Sequence, residues 1–448
     1  MSKDVDLTRG NVSLRLFGLA GPMVFGLVAV LSQSLVDTYF VGKLGTVQLA
    51  ALSFTFPVAL TFTSLAIGLS AGASSVVSRV IGAGNRQEAR RWVTDGLILS
   101  AVIATSISII GILTISPLFA LLGASDEALT YIQRYMPIWY ASMPFLVVGI
   151  VGHGAMRANG ESRWPSVIMV VTAAINIALT PILMFGLFGF PQLEIEGVAL
   201  ATLVSRVFTF VVTLALLRWL LQLMIFRLPK LGDLKRSGRS ILKIAGPAGA
   251  GNMANPIGIA IVTALLAAYG NSTVAAFGVA TRIEAFACLP MLALSSAIGP
   301  IAGQNWGAQK IDRIIDALKA CFIISALNSL LLVGLFWFAG DWLVGLFSSE
   351  QAVQAEARTY LIYVSFSLWG YGLVVTTAAA FNGIGRSGLG LGIYAVRILL
   401  LYVPLSYIAT LIAASEAVFI AISISNALAG LACAGFSIWW LKSRARSQ

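Results

Sequence analysis

Apolar stretches of about twenty residues or more recur along the whole chain and restrict it to very few folds. Val12–Phe40, Leu97–Phe119 and Ala320–Gly340 are three of them. A helix needs about 20 mainly apolar residues to cross the hydrocarbon core of a bilayer, and it satisfies its own backbone hydrogen bonds there. The stretches lack the alternation of apolar and polar residues that marks membrane β-strands. The sequence therefore predicts an all-α integral membrane protein.

Composition excludes an ordinary water-soluble domain. Only 10% of the 448 residues are charged and 58% are hydrophobic, whereas soluble domains carry roughly 25% charged residues. A net charge of +11 would indicate a nucleic-acid partner in a soluble protein. Here the basic residues follow membrane topology, so we expect the lipid bilayer as partner and no nucleic acid.

Motifs for catalysis and for metal or nucleotide binding are not evident. The three cysteines are far apart within apolar stretches, which gives neither metal-ligand spacing nor a disulfide framework. The chain has no glycine-lysine loop of the Walker A type, which argues against ATP hydrolysis. We expect no enzyme activity, no metal and no cofactor.

Hydropathy and basic residues together predict the topology. Of the 29 Lys and Arg residues, 23 fall on the side that carries the N terminus, three on the other side and three within spans. Loops rich in Lys and Arg remain in the cytoplasm, so both termini are predicted to be cytoplasmic, which requires an even number of spans. We predict twelve transmembrane helices, near 12–40, 50–80, 92–120, 131–156, 165–189, 197–222, 241–270, 274–302, 314–346, 359–382, 388–412 and 417–440.

The two halves of the chain resemble each other. Ala20-Gly21-Pro22 recurs as Ala245-Gly246-Pro247, and Gly45 recurs as Gly270, at one constant offset. Six spans separate the copies, so they are parallel repeats, an arrangement found in many transporters. We predict an N-terminal six-helix lobe at 1–222, a cytoplasmic linker at 223–240 and a C-terminal six-helix lobe at 241–448.

Asp37 is the first of two acids predicted to lie within a span. Ionisable groups at bilayer depth are costly and usually functional. Gln33 and Asp37 share a helix face at i and i+4, and Ser34 lies one turn before Asp37. Burial favours the protonated form of a carboxyl group, as a proton carrier requires. The alternative is a carboxylate near the outer mouth that pairs with Lys43.

A second polar cluster lies in the fifth and sixth spans. Asn176 and Thr180 share a helix face, and Thr202 in the next span could complete a polar pocket. Interhelical hydrogen bonding, which is common for Asn and Thr in membranes, is the structural alternative.

Glu284 is the other acid within a span, and with Arg282 and Arg397 it defines a candidate second charged site. Arg282 and Glu284 are two residues apart and do not face each other on a helix. Arg397 or Arg206 could therefore pair with Glu284 in a buried structural ion pair; a second coupling carboxylate is the alternative.

Pro22 interrupts the backbone hydrogen bonds of the first span. It is predicted either as a hinge that couples Asp37 to helix bending, or as a proline of the first helical turn.

The first-span pattern Gln33-x-x-x-Asp37-Thr-x-Phe-Val-Gly42-x-Leu-Gly45 resembles the signature of the MATE (multidrug and toxin extrusion) transporters. Gly82-Ala-Gly-Asn85, Asn159-Gly160 and the doubled six-helix plan are similar as well. The resemblance covers essentially the whole chain. Within the family, the absence of acids in spans seven and ten looks like the bacterial DinF-like branch.

That resemblance implies two pseudo-symmetric six-helix lobes around a V-shaped central cavity. We expect a monomer in the bacterial inner (plasma) membrane. It implies rocker-switch antiport that exports organic cations or amphiphilic drugs in exchange for H⁺ or Na⁺, and so confers drug resistance. The cation-coupling site would be Asp37 with Gln33, Asn176 and Thr202. Residues expected to line the substrate pocket are Thr180, Ser34 and Tyr39, and Pro22 would be the hinge. Relatives often carry a second aspartate where this chain has Thr180.

Two other functions stay open. A lipid-linked oligosaccharide flippase of the same superfamily would resemble a fourteen-span plan with a strongly basic cavity. A membrane receptor or channel subunit would not need the internal duplication.

Overall fold

The computed structural model describes residues 6–225, 230–411 and 414–446, and it is helical almost throughout these ranges. The helices of the first half are α1 (Val12–Leu44), α2 (Thr46–Gly82), α3 (Arg86–Leu113), α4 (Ile115–Leu121), α5 (Asp126–Ala158), α6 (Arg163–Phe185) and α7 (Glu194–Ala215). Those of the second half are α8 (Leu231–Leu266), α9 (Asn271–Ala287), α10 (Leu289–Gly307), α11 (Ile311–Gly345), α12 (Gln351–Ser365), α13 (Leu368–Gly383), α14 (Ser387–Ala395), α15 (Val403–Thr410) and α16 (Ser415–Ala445). Two π-helical stretches, Leu216–Leu220 and Val396–Tyr402, continue α7 and join α14 to α15.

The helices confirm the predicted twelve-span plan. Within the described ranges, ten helical segments are long and apolar enough to cross a membrane, and there are twelve if each of two bent pairs counts as one span. The bent pairs are α9 with α10, at 47°, and α12 with α13, at 58°. Hydropathy predicted the two corresponding spans but did not reveal their breaks.

Equivalent glycines begin the second span of each repeat. Gly45 precedes α2 with φ 145° and ψ 170°, and Gly270 precedes α9 with φ 109° and ψ 170°. Residues other than glycine rarely adopt such positive φ values. The same turn at the same place in both halves supports the duplication.

The chain forms two compact units whose boundaries fall inside helices. The described residues of one unit lie in Pro22–Gly249, and those of the other in Asp6–Gly21 and Ala250–Gln448. The division therefore lies between Gly21 and Pro22 in α1 and between Gly249 and Ala250 in α8. It differs from the division at 1–222, 223–240 and 241–448, because each of these two helices contributes to both units.

Close helix contacts and aromatic packing stabilise the first unit. A Cβ built on Gly68 of α2 would lie 2.5 Å from the carbonyl oxygen of Ala245 in α8, so the two backbones approach closely. Phe62 packs edge-on against Trp139, with ring centroids 5.7 Å apart, and also contacts Tyr140. Such offset aromatic pairs are favourable beyond their burial.

Polar contacts attach the beginning of α8 to α3. Arg91 pairs with Asp233, and the Ser237 hydroxyl donates to Oδ2 of the buried Asp95 at 2.6 Å. The polar segment expected as a linker at 223–240 therefore becomes helical from Leu231 onward. Residues 226–229 of that segment lie outside the described ranges.

The segment before α1 packs on the second unit. The buried Leu7 donates its backbone N–H to Oε1 of Gln304 at 3.1 Å, and its carbonyl accepts from Asn305 at 3.2 Å. Arg313 donates to the carbonyl oxygen of Gly10 at 3.0 Å. The Gly303–Gly307 motif thus forms the docking point of residues 7–10.

Candidate functional site

Asp37 lies near the end of α1, half-buried, beside two fully buried residues of α6. Its Oδ1 accepts a hydrogen bond from the Thr180 hydroxyl at 3.2 Å. The Asn176 amide, turned so that both of its ends are satisfied, donates to the same oxygen at 3.0 Å. The i, i+4 spacing of Asn176 and Thr180 places both side chains on the face of α6 that meets Asp37.

Thr202 and Gln33 complete the cluster. In the same amide orientation, the Asn176 oxygen accepts from the backbone N–H of Thr202 at 3.3 Å. The Gln33 side chain, one turn before Asp37 on α1, also hydrogen-bonds to the carboxyl group. The structure therefore brings together Asp37, Gln33, Asn176, Thr180 and Thr202 from three helices.

Ser34 and Tyr39, expected as pocket residues, do not make side-chain contacts with this cluster. Ser34 is exposed, and its carbonyl accepts from Thr38 at 2.9 Å. Tyr39 is 60% exposed and packs edge-on against Phe40. Tyr39 lies two residues after Asp37 and therefore projects from another face of α1.

Lys43, the alternative partner of Asp37, is bound elsewhere. Its Nζ lies 4.7 Å from the centre of the Tyr39 ring, in a cation–π contact. Among the described residues, no ion pair within 4.0 Å involves Asp37. The carboxyl group is therefore held by neutral hydrogen-bond donors.

Arg206 of α7 belongs to the surroundings of Asp37. It lies within electrostatic range of the carboxyl group, donates from Nη1 to Ser142 at 2.6 Å, and stacks over Trp139 at 5.4 Å. The sequence offered Arg206, beside Arg397, as one of two candidate partners of Glu284, which lies in the other unit. The spacing of Thr202 and Arg206, four residues apart on one face, was the available signal.

Glu284 and Arg282 are arranged differently from the expected ion pair. The Tyr360 hydroxyl donates to Oε2 of Glu284 at 2.6 Å. Arg397 lies within electrostatic range of Glu284 but forms no ion pair with it inside 4.0 Å. Arg282 is exposed on another face of α9, as its two-residue spacing from Glu284 requires.

Neutral acceptors and aromatic rings surround Arg397. Asn426 accepts from Nε at 3.1 Å and from Nη2 at 2.9 Å, and Asn255 accepts from Nη1 at 2.9 Å. The guanidinium lies over the rings of Tyr371, at 4.9 Å, and Tyr402, at 5.5 Å. The second unit thus holds a polar cluster of its own.

Pro22 lies ten residues after the first residue of α1, well inside the helix. It is therefore not a first-turn proline. The division between the two compact units falls directly before it.

Metal-binding clusters are absent from the part of the chain that the structure describes: no group of three or more His, Cys, Asp or Glu residues could hold a metal ion there. The Asp37 cluster contains one acid, three neutral hydrogen-bond donors and a nearby arginine. A twelve-span duplicated bundle with such a group within a span defines a membrane transporter.

The chain belongs to the MATE family of transporters. The family model, described as MatE, matches residues 22–182 and again 247–408. The two matches cover most of the chain and correspond to its two repeats. They confirm both the family resemblance and the multi-pass membrane assignment.

Relatives and solved structures agree over nearly the full length. The chain is 37% identical over 423 residues to the "FAD transporter" of Shewanella oneidensis, covering 93% of this chain and 92% of that one. It is 27% identical over 354 residues to the "Probable multidrug resistance protein YoeA" of Bacillus subtilis, covering 78% and 76%. The crystal structure of the Vibrio cholerae MATE transporter VcmN in the bent form matches with a TM-score of 0.90 at 28% identity, covering 97% of both chains.

Proposed function

We propose that this chain is a secondary antiporter that exports organic compounds in exchange for protons bound at Asp37. The observation that carries the proposal is a half-buried carboxyl group inside a span, held by Thr180, Asn176 and Gln33 without a direct ion pair. Such a group is costly in a membrane and is rarely present there without a function.

The proton is favoured over Na⁺ by the direction of the hydrogen bonds. Thr180 and Asn176 both point donors at the carboxyl oxygen. Hard metal cations require several oxygen ligands directed at one point, which would require these side chains to turn. Exchange with Na⁺ is the alternative that the same experiments address.

The proposed mechanism combines competition between proton and substrate with bending of α1 at Pro22. Protonation of Asp37 from the outside removes its charge and weakens the hydrogen bonds it accepts. The donors of α6 then rearrange and α1 bends at Pro22, where one backbone hydrogen bond is missing. The pocket contracts and substrate leaves, so proton and substrate occupy the site in turn, by rocker-switch alternation.

Two substrate classes are proposed. Organic cations and amphiphilic drugs suit the single acid of the Asp37 cluster, and the relative at 27% identity is named a probable multidrug resistance protein. Flavin nucleotides are the second class, because the relative at 37% identity is named an FAD transporter. Lipid-linked oligosaccharide transport is the remaining alternative. We place the protein as a monomer in the bacterial inner membrane with both termini in the cytoplasm.

Flux across a defined membrane tests the proposal. Purified protein is reconstituted into liposomes loaded with ethidium or FAD, and the liposomes are diluted into buffer of lower pH, or into sodium buffer at equal pH. We expect efflux under the pH gradient. Efflux under the sodium gradient alone would show that Na⁺ is the coupling ion. Efflux of neither compound under either gradient would contradict the antiporter proposal.

Thr180→Asp adds a carboxyl group at a position whose hydroxyl lies 3.2 Å from Asp37. Two carboxyl groups so close hold a proton between them at higher pH than one alone does. We therefore expect the pH profile of exchange to shift to higher pH, with Thr180→Asn as the neutral control. An unchanged profile in Thr180→Asp would place this position outside the coupling site.

Pro22→Ala restores a backbone donor in α1 and removes the proline ring. We expect severalfold slower exchange with unchanged equilibrium binding of ethidium, because the hinge acts on the conformational step. Pro57→Ala, in the neighbouring helix α2, is the matched control. Wild-type exchange rates in Pro22→Ala would contradict the hinge.

A further inference from the structure

Arg397 is a deeply buried cation of the second unit, and no carboxylate among the described residues lies in contact with it. It belongs to the π-helical stretch Val396–Tyr402 and is 3% exposed. π-helical turns inside α-helices are rare and frequently mark functional sites. The turn directs the guanidinium toward Asn426 of α16 and Asn255 of α8.

The hydrogen bonds of Arg397 leave part of its binding capacity free. A guanidinium has five N–H donors. Three bonds are formed, two to Asn426 and one to Asn255. Two donors therefore have no acceptor among the described residues. An arginine with two free donors can bind a carboxylate or phosphate in bidentate geometry.

The charge of Arg397 is balanced only at a distance. Within the described ranges no carboxylate lies inside 4.0 Å, and Glu284 directs its Oε2 to the Tyr360 hydroxyl instead. A buried charge without a contacting counter-ion is unfavourable. A bound anion would relieve this cost in a way that amide oxygens and tyrosine rings cannot.

The internal duplication relates the Arg397 cluster to the Asp37 cluster. In the first unit the polar cluster joins the first, fifth and sixth spans of the repeat, through Asp37, Asn176 and Thr202. In the second unit the corresponding spans provide Asn255, Arg397 and Asn426. Asn176 lies five residues before Pro181, and Arg397 lies seven before Pro404. The two clusters use the same three spans and carry opposite charges.

The residues of the cluster differ in how deeply they are buried. Arg397 and Asn426 are buried, whereas Asn255 and Tyr371 are only half-buried. An anionic group can therefore approach past Asn255 and the Tyr371 ring to the two free donors. The Tyr371 ring, already in contact with the guanidinium, is placed to pack against an aromatic part of the same ligand.

We propose that the second unit contains an anion-recognition site, in which Arg397 binds the phosphate of an aromatic substrate such as a flavin nucleotide. The inference rests on the proposed export of organic compounds and identifies the part of the chain that selects the anionic class. Arg397 acts here as a binding residue, and Asn255 and Asn426 position its guanidinium.

Equilibrium binding of three flavins to the purified full-length protein tests this. FAD and FMN carry phosphate and riboflavin does not, and the fluorescence anisotropy of each reports binding. We expect Arg397→Gln to weaken FAD and FMN binding by about tenfold or more, as loss of a charge-assisted bidentate contact predicts. Riboflavin binding should stay within about twofold.

Three further variants separate recognition from folding. Asn255→Asp has the same shape and places a carboxylate against the guanidinium, so it should abolish the preference for FMN over riboflavin while the melting temperature stays the same or rises. Arg397→Lys keeps the charge, loses the bidentate geometry, and should also weaken FMN binding. Arg282→Gln, on the exposed face of α9, should change nothing.

Several results would overturn the inference. Equal affinity of the wild-type protein for FMN and riboflavin, including no binding of either, is one. An unchanged preference for FMN in Asn255→Asp is another. Loss of FMN binding in Arg282→Gln alone would show that recognition lies on the exposed face of α9. Exchange of ethidium driven by a pH gradient, measured on the same preparation, reports separately on the proposed antiport.

Discussion

Asp37→Asn is expected to reduce export to the background level of cells without the protein. The amide keeps the size of the side chain but cannot take up and release a proton, so the cluster no longer has two charge states. Ethidium accumulation in a pump-deficient bacterial host, with and without the expressed variant, measures the loss. Drug resistance of the same cells should fall in parallel.

Two variants control for this experiment. Asp341→Asn removes an acid of the other unit, which pairs with Arg358 at 3.0 Å, and should export at the wild-type rate. Asp37→Glu keeps an ionisable group and should retain part of the activity. Wild-type export by Asp37→Asn at equal expression would show that the coupling site lies elsewhere.

Gly370→Val is expected to have the largest effect on folding. A Cβ on Gly370 of α13 would overlap the carbonyl oxygen of Asn426 in α16, and one on Gly430 would lie 2.5 Å from the Cα of Gly370. The two backbones meet there, so a larger side chain forces them apart. Overpacking of this kind costs about 1–3 kcal/mol or more.

The thermal stability of the purified variant, followed by size-exclusion chromatography after heating, measures the effect of Gly370→Val. Gly334→Val is the matched control, because a Cβ at Gly334 of α11 meets nothing within 4 Å. We expect a clearly lower melting temperature for Gly370→Val only. Equal melting temperatures of the two variants would contradict the close approach of α13 and α16.

The spans could be predicted from sequence because they follow from apolar length, and the faces that carry the polar residues because they follow from helical periodicity. Apolar length fixed the number of spans. The i, i+4 spacing of Gln33 with Asp37, and of Asn176 with Thr180, put each pair on one face. Which faces meet is a matter of tertiary packing, and the grouping of Asp37 with Asn176 and Thr202 in one site was expected from the resemblance to the MATE transporters.

Features that depend on helix continuation and on tertiary contacts were not predictable from sequence. The beginning of α8 is too polar to look like a membrane helix, but its Asp233 and Ser237 bind α3. The division of α1 and α8 between two units is set by long-range packing, which carries no local pattern.

Partners of charged residues were the least predictable. Arg206 and Arg397 each fit Glu284 by charge alone, and only the fold assigns Arg206 to the surroundings of Asp37. Tyr39 was expected in the pocket from the resemblance, but two residues along a helix turn a side chain by more than half a revolution from Asp37.

Flux in liposomes that contain either wild-type protein or Asp37→Asn, under a pH gradient with sodium absent, tests the central claim most directly. Efflux of ethidium and uptake of protons, measured together with an internal pH dye, should occur in opposite directions and in fixed proportion for the wild type, and both should be lost in Asp37→Asn. Ethidium efflux without proton movement, or equal coupled fluxes in the two proteins, would contradict proton exchange at Asp37.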